Sequence, residues 1–447
     1  MKQAQALAVA FALSAATLSA SSYADGGWKG IPHLDRVFVI MMENHGFSQI
    51  YKNPNEPYLN GLISSGKVSY ATNYFAVGHP SLTNYLEIVG GSNFGVLSDK
   101  YPNWHNKSCT PYLTSGHPIL DNDAGIALPF PNDTYVCPIS GTGSDAATVA
   151  VDTFNEVDCN TATPPVCSNV LANLDGVRSI PQAKHITGMS IAHQLVHFGQ
   201  TWKSYQESLP QSGADLIDYS NGTASLVFDT ATAATSIQPV LTPSTPDVVA
   251  LYAVKHNPFA YFADIQGGWN PELSLTQTVG FDQLFADLAT GNVPTLSFIA
   301  PNQCNDQHGR GNGEAFCAFD PSDTGSQSGL NAGLIAQGDV MIERLVKAIK
   351  ASPAWHQGTA AMVIVWDEND YSGVPKAPPV GTPFPPANQN SVVVTVETNY
   401  RQSPNVASKV YYTHFSLLRT LEAGLGLPCL NHACDPDVHL MTDMFGY

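Results

Sequence analysis

The chain has 447 residues, 43% of them hydrophobic, and a formal charge of −18. That is enough apolar material for a large core. The negative balance disfavours nucleic acid as a partner and leaves no basic footprint for an anionic membrane. An anionic substrate would need concentrated local positive charge, which a bound metal ion can supply.

Residues 1–24 begin with Lys2 and the small apolar run ALAVAFALSAATL, and end in the small-x-small site SYA before Asp25. This pattern predicts a signal peptide cleaved after Ala24, and so a secreted or periplasmic protein. Residues 25–447 are expected to form a single domain. No later run approaches roughly 18 to 20 apolar residues, so no integral membrane segment is expected. Eight cysteines, Cys109, Cys137, Cys159, Cys167, Cys304, Cys317, Cys429 and Cys434, fall into neighbouring pairs without a CxxC. In an exported chain they read as four local disulfides, and their spacings match no zinc module.

The first strand is Arg36–Met42, where Val37 to Met42 form an unbroken apolar run suited to burial on both faces. It runs directly into Glu43, Asn44 and His45. Further strands are expected over Phe259–Ile265, Thr295–Ala300, Ala360–Trp366 and Ser391–Glu397. Leu330 to Lys350 predicts a helix, with Leu334, Met341, Ile342, Leu345 and Ile349 on one stripe. Lying between two strands, it makes a βαβ unit and implies a parallel sheet. Tyr101 to Val170, with four cysteines, reads as a disulfide-held loop or cap insertion. Tyr371 to Asn390 reads as a Pro/Gly-rich surface loop.

In open α/β sheets, ligands bind beyond the carboxyl ends of the strands. Glu43 and Asn44 stand at one such end. Asp367 and Glu368 stand at another, in AAMVIVWDEND. If the two strands are neighbours, three carboxylates and an amide converge, and a divalent cation would relieve their repulsion. Otherwise the acids merely begin solvated loops or cap helices.

In FAVGHPSLTNYLEIVGG, Gly78 and Pro80 force a turn, and Ser81 opens a short helix ended by Gly90 and Gly91. A hydroxyl there faces unpaired N–H groups and suits phosphate, although Ser is equally a common N-cap. His79 is either part of that site or a packed loop histidine. In FIAPNQCNDQHG, Asn305, Asp306 and His308 follow a strand end, in a loop expected to be tied by Cys304–Cys317. His256, in YAVKHNPF, and His414, in YYTHFSLLRTLE, are either site residues or buried, capping histidines.

Taken in order, MMENHGF, GHPSLTNYLEIVGG, TWKSYQESLP, YAVKHNPFAYF, FIAPNQCNDQHG, VIVWDEND and YYTHFSLLRTLEAGLGLPCL resemble the phosphoesterase family. That family joins secreted acid phosphatases with bacterial phospholipases C, and its fold is similar to that of the alkaline phosphatase superfamily. The resemblance runs from Arg36 to about Asp435. It implies a doubly wound, mostly parallel α/β sheet sandwiched by helices, forming one catalytic domain. It implies one divalent metal ion (Mg, Ca, Mn or Zn) held by Glu43, Asn44, Ser81, Asp367 and Glu368.

Ser81 matches the family's nucleophile, and Asn84 and His256 match phosphate-oxygen ligands. His308 matches a general acid or phosphate contact, and His79, His414 and Asp306 complete the substrate side. A second metal on Asp306, His308 and His414 is left open. Asn369, Asp370 and Tyr371 replace the His-Gly-Gly of many phospholipase C members, and HPS and WKSYQE look closer to acid phosphatases.

The implied function is hydrolysis of small phosphate monoesters through a Ser81 phosphoenzyme. Phospholipase C activity, with transient lipid contact, is the alternative, and Tyr74, Phe75, Trp104 or Trp202 would then line an aromatic choline pocket. A non-catalytic secreted binding protein is disfavoured by the intact Ser81, Asp367 and Glu368.

Overall fold

The computed structural model describes residues 30–77, 81–92, 94, 188–209, 252–262, 264–265, 269–309, 317–322, 325–369, 391–400 and 406–446, with four short strands between 120 and 158. Residues 1–24, His79, Trp104, the 371–390 loop and Cys109, Cys137, Cys159 and Cys167 lie outside the described residues. Within the expected 101–170 insertion, Leu120–Asp121 pairs antiparallel with Ile126–Ala127, and Val151–Asp152 with Val157–Asp158.

An eight-stranded sheet organises the rest. In chain order its strands are β1 (Arg36–Met42), β2 (Ser69–Ala71), β3 (Trp202–Gln206), β4 (Thr278–Gly280), β5 (Leu296–Ala300), β6 (Ala360–Trp366), β7 (Val394–Thr398) and β8 (Ala407–Ser408). Their spatial order is β8-β2-β7-β6-β1-β5-β3-β4. The run β6-β1-β5-β3-β4 is parallel throughout, and β7 is antiparallel to both its neighbours. β1 is central and buried along Val37 to Met42, as an apolar strand in a parallel sheet must be.

Among the described residues the longer helices are α1 (Pro57–Ser64), α2 (Ser81–Gly90), α3 (Ile191–His197), α4 (Phe281–Thr290), α5 (Ala332–Ala351) and α6 (His414–Leu425). α5 packs with α1 and α4, while α2 packs with α6 and α3. α5 begins at Asn331, whose side chain accepts from the N–H groups of Gly333 and Leu334. Its stripe of Leu334, Met341, Ile342, Leu345 and Ile349 is fully buried, and it carries the chain from β5 to β6 across β1. The expected mixed α/β fold with a large, mostly parallel sheet is what forms.

Two expected strands differ. Phe259–Ile265 is no strand: Pro258–Tyr261 is a 3-10 helix. Pro258 cannot donate to a ladder. The aromatic side chains that gave the segment its strand-like look fill the core, with Phe259 tilted at 39° against Trp202, centroids 4.6 Å apart, and edge-on at 5.5 Å to Phe298. The last expected strand, Ser391–Glu397, becomes regular only from Val394 to Thr398. Two of the expected disulfides are among the described residues: Cys304–Cys317 and Cys429–Cys434, with Cα separations of 5.0 and 5.3 Å.

Candidate active site

The ladder around β1 does not stop where the strands do. Asp367 N donates to Met42 O at 2.9 Å, and Glu43 N donates to Asp306 O at 2.9 Å. The loops after β1, β5 and β6 therefore leave the sheet in register and deliver their acids to one place. Asn44 has φ of 53°, a left-handed conformation that asparagine tolerates better than most residues. That kink keeps its amide beside Glu43, while its N–H donates to Asp367 Oδ1 at 3.1 Å.

Ser81 is the first residue of α2, a helix buried along its whole length. It stops at Gly91, whose φ of 71° and 2.4 Å approach of a would-be Cβ to Leu430 O exclude a side chain. Ser81 Oγ lies 3.0 Å from Glu43 Oε2 and 3.2 Å from Glu368 Oε1. A hydroxyl has one proton, so it satisfies only one of these acids at a time. Asn84, one turn on, donates from Nδ2 to Glu368 Oε2 at 3.0 Å and accepts from Val77 N at 3.1 Å. Tyr85 stacks flat on His256, with centroids 5.2 Å apart.

His256 lies between two acids, with Nε2 3.2 Å from Glu43 Oε1 and Nδ1 3.3 Å from Asp306 Oδ2. Burial, then Lys255 and His308, hold its basicity well below the usual range. His308 Nδ1 lies 2.8 Å from Gly309 O. A carbonyl only accepts, so Nδ1 carries the hydrogen, and Nε2 faces Lys255 Nζ at 3.4 Å. Asp306 turns both its oxygens to these histidines, Oδ1 accepting from His308 N at 2.7 Å. Glu43, His256 and His308 each offer an atom within 4.8 Å of the others.

His414 differs from the expectation of a second-metal ligand. Its Nε2 donates to Asp367 O, so Nδ1 must accept from Tyr74 Oη, 2.8 Å away. Both nitrogens are occupied, and burial lowers its pKa to about 4. It holds the backbone of a strand-end acid and offers nothing to an ion. Of the aromatic residues considered for a choline site, Trp104 lies outside the described residues. Tyr74, Phe75 and Trp202 are all buried.

Without a cation this centre is electrostatically unfavourable. Burial raises the carboxyl pKa values of Glu43, Asp306 and Asp367 well above the ordinary range; the Asp367 charge adds to this for Glu43 and Asp306, and the Glu368 charge adds to it for Asp367. Asp367 Oδ2 and Glu43 Oε1 are buried acceptors with no hydrogen bond. The Asn44 amide lies 3.2 Å from Glu43 Oε2 and 3.1 Å from Glu368 Oε1. With nitrogen toward them it donates to both; with oxygen toward them it completes a set of oxygen donors. Buried acids, an amide and a hydroxyl with bare lone pairs fit a hard divalent cation.

Three features had little or no sequence signal. Lys255 is the cation felt by Glu43 and Asp306. Glu207, just past β3, accepts from both Asn302 N and Asn305 Nδ2, and so anchors the loop carrying Asp306. Gln307, at φ of 82°, donates to Glu56 and to Ile335 O and accepts from Trp366 Nε1 at 3.1 Å. Gly338 makes room for it, since a Cβ there would lie 2.3 Å from Gln307 Cγ.

A mostly parallel α/β sheet thus brings acids at three strand ends to a hydroxyl at a buried helix start, a centre suited to the hydrolysis of phosphoric esters. The chain belongs to the Phosphoesterase family, whose model matches residues 49–318 and 325–428. The matched segments hold Ser81, His256, His308, Asp367 and Glu368 and begin just after Glu43 and Asn44. A phosphatidylinositol-3-phosphatase of Mycobacterium tuberculosis is 21% identical over 93% of this chain and 84% of its own. An acid phosphatase of Aspergillus fumigatus is 23% identical over 61% of this chain, which spans 36% of that protein. Among solved structures, an alkaline phosphatase superfamily protein from Vibrio parahaemolyticus has a TM-score of 0.40 at 11% identity, covering 91% of this chain and 71% of its own. A phosphonate monoester hydrolase of Agrobacterium radiobacter gives 0.42 at 11%, covering 92% and 77%.

Proposed function

We propose that the protein hydrolyses phosphate monoesters outside the cytoplasm, with Ser81 as nucleophile. The observation that carries this reading is the place of Ser81 Oγ: at the N-terminus of α2 and within 3.2 Å of carboxylates from two strand ends. Glu43, Asn44, Asp367 and Glu368, with Ser81, would hold one divalent cation. When bound, such an ion lowers the pKa of the hydroxyl and offsets negative charge on phosphate.

The remaining steps belong to the chain's own residues. Ser81 passes its proton to a facing acid, Glu43 or Glu368, and its Oγ bonds to phosphorus as the ester P–O bond breaks. Asn84, His256 and the first N–H groups of α2 bind the phosphoryl oxygens. His308, entering the step as an imidazolium, gives its Nε2 proton to the departing oxygen and keeps the Nδ1 hydrogen that Gly309 O holds. Water then cleaves the phosphoserine, and Ser81 recovers its proton.

Both curated relatives named above are phosphatases, which supports a monoesterase over a phosphodiesterase. Among the described residues no helix is long and apolar enough to cross a membrane. The two disulfides are compatible with an oxidising compartment.

The test is Ser81→Ala assayed on p-nitrophenyl phosphate, bis-p-nitrophenyl phosphate and phosphatidylcholine, with and without chelator. Turnover should be confined to the monoester, need cation, and vanish in the variant while its thermal unfolding is unchanged. Near-normal activity in Ser81→Ala would refute the mechanism, and preferred cleavage of phosphatidylcholine would refute the substrate class.

A further inference from the structure

Substrate preference needs a surface beside the leaving group, and among the described residues Tyr74 and Tyr85, which touch the site histidines, are buried. One aromatic side chain is placed differently. Phe319 is 49% exposed. Its ring meets the His308 ring edge-on, with centroids 5.8 Å apart and planes at 64°. It lies two residues beyond Cys317, whose disulfide to Cys304 fastens it to the loop that carries Asp306 and His308. Asp320, next in the chain, is held in turn by His45 Nε2 at 2.9 Å and by Asn331 N at 2.6 Å. The backbone on both sides of Phe319 is thus anchored while its ring stays in solvent. An exposed aromatic ring on a fixed backbone loses little entropy on binding a partner.

We propose that Phe319 is a specificity-determining residue: its exposed face seats the organic part of the leaving group, favouring aryl phosphates over phosphates of small polyols. This rests on the reading of His308 as the acid that protonates the leaving oxygen. That oxygen must come within hydrogen-bond reach of His308 Nε2. The first carbon atoms attached to it then lie near the ring packed against His308. A flat apolar group gains an offset or edge-on contact there, whereas a polyol gains nothing and exchanges water for an apolar face.

Phe319→Ala and Phe319→Tyr are compared with the parent protein on phenyl phosphate, p-nitrophenyl phosphate and glycerol 2-phosphate. Comparing each substrate with itself across the variants cancels its intrinsic reactivity. Phe319→Ala should raise KM for both aryl esters roughly three- to tenfold, the worth of one aromatic contact. It should leave glycerol 2-phosphate within about twofold on the same scale. Phe319→Tyr should restore the aryl preference. Unchanged kinetics, or an equal loss of kcat on all three esters, would overturn the proposal, because the ring would then merely prop up His308. The underlying reading is checked apart: His308→Asn should slow phenyl phosphate more than p-nitrophenyl phosphate, since phenol is the poorer leaving group. Equal slowing there removes His308 as the acid, and with it the basis of the proposal, whatever Phe319→Ala does.

Discussion

Replacing Asp367 with asparagine should move stability in opposite directions with and without a divalent cation. Asp367 Oδ1 accepts from Asn44 N, and the amide oxygen of asparagine keeps that bond. Oδ2 is a buried acceptor with no hydrogen bond, in an acid whose ionisation burial and the Glu368 charge oppose. An amide nitrogen there turns a bare lone pair into a donor facing acids. Relieving an unsatisfied buried group is worth about 1–3 kcal/mol. At about 2.1 cal/mol/K per residue, that is a rise of about 1–3 °C in Tm for a chain this long.

With cation the sign reverses. An ion at a hundred times its Kd adds about 2.7 kcal/mol to the parent, or about 3 °C. Loss of one anionic donor should weaken binding by at least about a hundredfold, since even outer-shell partners matter ten- to a hundredfold. At the same concentration the variant then gains only about 0.4 kcal/mol. Thermal unfolding of chelator-dialysed protein, titrated with Mg, Ca, Mn or Zn, reads both effects. If Asp367→Asn is no more stable than the parent without cation and shifts as far with it, the acids do not form a cation cage.

Three other outcomes are expected. Serine at both Cys304 and Cys317 opens a tether spanning 13 positions and should cost about 3 kcal/mol, lowering Tm and slowing turnover; an unaltered kcat would show that the tether does not position His308. Glu56 is held protonated by burial beside Asp339, so its contribution is complete below 4.5 and is lost as pH rises through its raised value. Urea midpoints of Glu56→Gln should lack that decline, and an identical pH slope in parent and variant would rule out the buried proton. His414→Phe should weaken cation affinity roughly ten- to a hundredfold without changing the metal count by elemental analysis of untagged protein; loss of a whole ion would make His414 a ligand after all.

What was legible in the sequence follows the strength of each local pattern. β1, β5, β6 and α5 were readable because a doubly buried strand is a continuous apolar run and an amphipathic helix repeats every 3.6 residues. The strand ends were readable for the same reason, since Glu43 and Asp367 break such runs abruptly. That β1 and β6 are neighbours has no local signature, because strand order is fixed by long-range pairing. Phe259–Ile265 misled because aromatic residues favour strands and cores alike, and periodicity cannot separate the two over seven residues. β3 lies in TWKSYQE, which has no continuous apolar run and so gives no strand signal. Lys255 had no pattern at all, since a lone lysine beside a histidine looks like any solvated cation. Gln307 owes its role to a backbone dihedral, which leaves no sequence signature, and Phe319 to the way a loop turns it onto His308, which the legible Cys304–Cys317 tether does not foretell.

The sheet order has a consequence for how this centre comes into being. Ser81 and Glu43 come from the first fifth of the chain, His256 and His308 from its middle, and Asp367 from beyond residue 360. β1 pairs with β5 and β6, strands made some 260 and 320 residues after it. Pairings so distant in sequence form slowly, because loop closure precedes any reward from contact. On the proposed mechanism, an emerging chain therefore holds Ser81 long before the residues that would arm it, and chemistry would begin only after the last parallel strand docks. Catalytic competence, on this architecture, is a readout of completed folding.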